Sequence, residues 1–125
     1  MSWIWFGLAG ALGSLARYGL SHLLGQWLGS AFPWGIFITN VLGCFLFGVF
    51  WAAIAIFHVW SDATRIIILT GFMGAFTTFS TFIFDSQALL EGGHWLALAL
   101  NICGQVVLGI VALQAGIRAV HYVLG

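Results

Sequence analysis

The chain has 125 residues, which suits one domain, and 62% of them are hydrophobic against 5% charged. Soluble domains carry about 25% charged residues, so water is excluded as the main solvent and lipid is expected in its place. The three cations are all Arg and balance three acids to zero, which leaves too little positive charge for phosphates and excludes a nucleic-acid partner.

A membrane-spanning helix needs about 20 mostly apolar residues. Four stretches of that kind are expected, at residues 3–27, 34–58, 65–90 and 95–121, in a single transmembrane domain covering 1–125. The opening MSWIWFGLAG lacks the positive start of a signal peptide, so the first stretch is expected to be a retained helix. Gly29, Ser30 and Pro33 punctuate the first connection, with Pro33 suited to the first turn of the second helix. Ser61 and Asp62 mark the second connection, and Asp62 is the expected N-cap. Glu91, Gly92 and Gly93 mark the third. Connections this short predict antiparallel neighbours. Gly7, Gly10 and Gly13 in the first helix, and Gly35, Gly43 and Gly48 in the second, predict close helix contacts, because lipid supplies no hydrophobic force between helices. Trp3, Trp5, Trp27, Trp34, Trp60 and Trp95 lie near helix ends, as in an aromatic belt. The positive-inside bias of Arg65 and Arg118 is slight, so orientation is weakly specified.

Polar groups at membrane depth are the candidates for function. Arg17 lies well inside the first span, and reads either as a functional group or as one that snorkels to the interface or bridges helix ends. Asp85 lies late in the third span, close to its end. Asn40 lies deep in the second helix. Its amide offers either glue to a neighbouring helix or N–H groups to an anion. Asn101 and Gln105 are four apart and share one face of the fourth helix, again as glue or as pore lining. The segment GFMGAFTTFSTF, at 71–82, is the richest. Gly71, Gly74 and a crowd of hydroxyls at Thr77, Thr78, Ser80 and Thr81 compete with helical bonding. Two readings stand: a kinked helix without ligand, or a broken one whose freed carbonyls hold a cation. Phe79 and Phe82, three apart, share a face; they are core packing or, through their positive ring edges, anion ligands. Cys44 and Cys103 form no disulfide or metal motif, and the histidines at 22, 58, 94 and 121 form no metal pair.

With these residues in view, the chain resembles the bacterial fluoride channels of the CrcB/Fluc family. The likeness rests on GALGSLARY at 10–18, PWGIFITNVLGCFLFG at 33–48 and, most specifically, GFMGAFTTFSTF at 71–82. The resemblance implies an all-α membrane protein of four transmembrane helices, the third broken near its middle, in an antiparallel dual-topology homodimer. It implies a central structural Na+ held by the backbone carbonyls of Gly74 and Thr77 of both subunits. It implies fluoride pores lined by Phe79, Phe82, Asn40, Ser80 and Thr81, with Arg17 at the wide mouth of the pore or in a supporting role. Asn101 and Gln105 replace small hydroxyl residues of relatives and are further pore-lining candidates. Ile36 and Ala75 depart from the family's usual Thr and Gly.

The expected function is passive, fluoride-selective export across the bacterial inner membrane, which lowers cytoplasmic toxicity, with no catalytic group and so no enzyme. A small multidrug-type transporter would need an intramembrane carboxylate in the first helix, which has none. A structural subunit of a larger membrane complex is told apart by whether the protein alone makes liposomes permeable to fluoride.

Overall fold

The computed structural model describes residues 2–58 and 60–125. Its elements are α1 (Trp3–Leu28), α2 (Trp34–Phe57), α3 (Asp62–Ile66), a π-helical stretch (Ile67–Met73), α4 (Gly74–Phe76), α5 (Phe79–Glu91) and α6 (Trp95–Leu124). No strand occurs among the described residues. From α3 to α5 the chain follows one rod, Asp62–Glu91, interrupted at Thr77 and Thr78.

Three of the rods are long and apolar enough to cross a membrane: α2, Asp62–Glu91 and α6. The expectation of four is thus met only in part. The 26 residues of α1 reach about 39 Å at 1.5 Å per residue, which exceeds a hydrocarbon core of about 30 Å. Its apolarity falls short because Arg17, Tyr18, three Trp and several Gly and Ser dilute its Leu, Ile and Ala.

Local chemistry explains the ends. Pro33 stands just before Trp34, as N-cap rather than within the first turn. Ser61, not Asp62, caps α3: its hydroxyl accepts from the Thr64 N–H at 3.2 Å. Asp62 instead takes the first turn, where its charge suits the helix dipole, and pairs with Arg65 at 3.4 Å on the exposed surface. The α5–α6 turn is a Schellman closure: Gly93 N–H donates to Leu90 O at 3.1 Å and His94 N–H to Leu89 O at 3.0 Å. It requires a left-handed residue, and Gly93 supplies it with φ 72°.

Two parallel pairings build the bundle. The contacts Cys44 with Gly109 and Gly48 with Leu113, and the bond from Asn40 to Gln105, advance together along α2 and α6. These helices therefore run parallel and form the most extensive pairing. Gly48 rests on the Leu113 carbonyl and Gly116 on the Phe45 carbonyl, where a Cβ would collide with backbone. In the same way Gly10 meets Gly71, Gly13 meets Phe72 and Arg17 meets Ala75, so α1 runs parallel to the interrupted rod. Together with the short connections this is an up–down arrangement. Trp3, Trp5, Trp27 and Trp95 are exposed near helix ends.

Candidate functional site

The interruption organises the site. After Phe76 the backbone leaves the helix: Thr77 has φ −95° and ψ 153°, and Thr78 has φ −143° and ψ 124°. The preceding turns are π-helical, a wide geometry that recurs at functional sites. Thr77 still donates its N–H and its hydroxyl to Met73 O, at 3.2 and 3.1 Å. In a continuous helix the Thr78 N–H would bond Gly74 O. Here it donates to Asn40 Oδ1 at 2.9 Å, which frees the Gly74 carbonyl. Asn40 Nδ2 returns a bond to Thr78 O at 3.1 Å, so one amide grips the Thr78 peptide on both sides. The next carbonyl, Ala75 O, loses its helical partner to the break and accepts from Arg17 Nε at 3.1 Å. Arg17 thus bridges α1 to the end of a half-helix, where a cation complements the exposed carbonyls.

Beyond the break, Thr78 restarts the helix as its cap. Its hydroxyl oxygen accepts from the Thr81 N–H at 3.3 Å and lies within 3.3 Å of Thr81 Oγ1 and 3.5 Å of Ser80 Oγ. Ser80 is exposed and Thr81 half-buried. The two phenyl groups are neighbours, with ring centroids 5.9 Å apart and planes tilted by 59°, yet their surroundings differ. Phe79 is 75% exposed and Phe82 8%. Spacing by three predicted a common face; packing of α5 turns Phe82 inward and leaves Phe79 on the outside.

Asn101 and Gln105 do share a face, and that face is interior: both are buried. Asn40 Nδ2 donates to Gln105 Oε1 at 2.8 Å, Gln105 Nε2 to Asn101 Oδ1 at 2.9 Å, and Asn101 Nδ2 to Ser86 Oγ at 3.0 Å. Ser86 donates on to Phe82 O at 2.8 Å. Ser86 was missed by sequence reasoning; its only signal is a hydroxyl four residues after Phe82. Thr39 was missed as well. Its hydroxyl is fully buried without a hydrogen-bond partner among the described residues, one turn before Gly43, where a Cβ would strike Thr77 Cγ2.

A cavity of about 770 Å³ opens between the second half of α1, the start of α2 and the end of α5. Tyr18, His22, Gln26, Asp85 and His94 are among its lining residues, and Arg17 is not.

The freed Gly74 carbonyl is a fitting donor for a hard cation, which takes oxygen ligands. Gly74 is exposed, and nothing crowds the place a Cβ would occupy. Among the described residues no cluster of His, Cys, Asp or Glu forms a metal site.

The class these features define is a helical, multi-pass membrane protein in which one long apolar rod is broken near its middle, with amides, hydroxyls and phenyl groups gathered at the break. The sequence profile of the CrcB-like protein, Camphor Resistance (CrcB) family matches residues 4–117, and the chain belongs to that family. It is 56% identical over 110 residues to the fluoride-specific ion channel FluC of Solidesulfovibrio magneticus, covering 88% of each chain. It is 53% identical to that of Nitratidesulfovibrio vulgaris strain Miyazaki F, over 89% of this chain and 90% of the relative. To that of Nitrosococcus oceani it is 48% identical over 90% of each. Together with its membrane-crossing rods, this makes the chain a multi-pass bacterial membrane protein.

Proposed function

We propose that the protein is a fluoride-selective channel of the bacterial inner membrane, which lets the anion leave the cytoplasm passively. The observation that carries the reading is the first turn of α5, where Phe79, Ser80, Thr81 and Phe82 follow directly on the break gripped by Asn40. Hydroxyl and amide groups together with ring edges offer many weak donors and no fixed cation. Such a lining replaces a hydration shell while letting the ion leave. The naming of close relatives as fluoride-specific channels supports the same reading.

In the single chain both N–H groups of Asn40 are engaged, with Thr78 O and Gln105 Oε1. Asn40 therefore serves an anion by exchanging one of these bonds, not by offering an idle donor.

The working unit is an antiparallel homodimer in which α1 is the fourth crossing. Its parallel course against the interrupted rod supports a shared depth in the bilayer. Gly74, Phe79 and Ser80 are exposed on the single chain, and an exposed helix break at membrane depth is costly in lipid. A second copy would cover it and bring Phe79 of one subunit toward Phe82 of the other. The carbonyls of Gly74 and Thr77 from both subunits would hold Na+, whose charge would neutralise the converging carbonyl dipoles and brace the dimer.

Fluoride efflux from liposomes containing only this protein, read with a fluoride electrode, tests the function. Rapid release is expected; release no faster than from empty liposomes overturns it.

A further inference from the structure

The hydrogen bonds beyond Asn40 form a closed circuit on the turn that carries the phenyl groups. The circuit leaves α5 at the Thr78 N–H, passes through Asn40, Gln105, Asn101 and Ser86, and returns at the Phe82 carbonyl. Its direction is fixed at both ends. A backbone N–H only donates, so Asn40 must present its oxygen to Thr78 and its nitrogen onward. A carbonyl only accepts, so Ser86 must end the series as donor. Each amide between them passes the direction on, with every link between 2.8 and 3.0 Å. Gln105, Asn101 and Ser86 are all buried. Removing one member therefore leaves its neighbours unpaired inside the bundle, which costs more than the bond itself.

We infer that Gln105, Asn101 and Ser86 are positioning residues for conduction: a one-way amide circuit that holds Asn40 on the Thr78 peptide and fixes the turn bearing Phe79 and Phe82. This rests on the channel reading. The circuit also keeps the Thr78 N–H away from Gly74 O, so the same residues maintain the break. Asn101 and Gln105 thus act through Asn40, from within one subunit, rather than as surfaces along which an ion moves.

The test uses the full chain in lipid nanodiscs and in liposomes, with Gln105→Met, Ser86→Ala and Ser86→Thr. The first readout is the side-chain amide resonance of Asn40 and its hydrogen exchange. The second is fluoride efflux. Gln105→Met is expected to move the Asn40 resonance, speed its exchange and slow efflux about 10- to 100-fold, the scale set by leaving a buried amide unpaired. Ser86→Ala is expected to do the same more weakly, and Ser86→Thr, which keeps the hydroxyl, to match the parent in both. Should Gln105→Met fail to fold, the Ser86 pair decides alone. An unmoved Asn40 resonance overturns the inference even if efflux falls, because slower efflux alone is what a pore-lining residue would show. A moved resonance with unchanged efflux overturns it too. A parent protein that releases no fluoride sinks the channel reading instead, while the resonance still reports whether the circuit exists.

Discussion

Replacing Asn40 by Asp exchanges one group, the Nδ2 amide for a carboxylate oxygen, at the centre of the site. The carboxylate still accepts from the Thr78 N–H, now 2.9 Å from Oδ1. It can no longer donate to Thr78 O or Gln105 Oε1, the partners now at 3.1 and 2.8 Å. Two lost interhelical bonds cost about 1 kcal/mol in total at the average measured in bilayers. The charge matters more. A fluoride passing about 4 Å from a carboxylate is repelled by roughly 4 kcal/mol at an effective dielectric constant of about 20. At 1.4 kcal/mol per decade that lowers occupancy about a thousandfold. Efflux from liposomes with Asn40→Asp should therefore fall by about three orders of magnitude. Asn40→Leu, which removes the same donors without adding charge, should lose less. Asn40→Asp efflux within a few-fold of the parent would refute the placement of Asn40 beside the ion path.

Phe79→Ile should slow fluoride efflux about tenfold, because the ring edge is the proposed ligand, with little effect on folding within one subunit, where the ring is 75% exposed; thermal denaturation in detergent separates the two effects. Phe82→Ile should slow efflux similarly and also lower stability by about 1–3 kcal/mol, because its ring is buried and the site is reshaped. Gly43→Ala should disturb the break: the added methyl meets Thr77 Cγ2, and Thr77 cannot turn away without giving up its 3.1 Å bond to Met73 O. A lower melting temperature and weaker stabilisation by added Na+ are the expected readouts. Arg17→Met keeps the long stem but uncaps Ala75 O, and should cost about 1–2 kcal/mol, seen in denaturation rather than in ion selectivity.

The rods were legible because hydropathy and punctuation are local properties. Predicted stretches 3–27, 34–58, 65–90 and 95–121 fall on Trp3–Leu28, Trp34–Phe57, Asp62–Glu91 and Trp95–Leu124. The break was legible as a conflict, with hydroxyl-rich TTFST set into a helical pattern. Its anchoring was not. Arg17 on Ala75 and Asn40 on Thr78 join positions 58 and 38 residues apart, and nothing in the spacing of one helix names its partner on another. For the same reason Asn101 and Gln105 could be placed on one face but not told to be glue or lining. Only the bundle shows that this face looks inward, toward Asn40 and Ser86. The unequal burial of Phe79 and Phe82 was equally hidden: a three-residue step leaves the rings about 60° apart around the helix, and the edge of the packed face falls between them.

The central claim is that uncharged donors at a broken helix conduct fluoride and refuse other halides. Its most direct test is the reversal potential of the purified protein in a planar bilayer, with a tenfold fluoride gradient and equal chloride on both sides. A fluoride-selective pathway predicts reversal near 59 mV in magnitude, the value for a tenfold gradient of one monovalent ion. Reversal near zero, with chloride carrying the current, would contradict it.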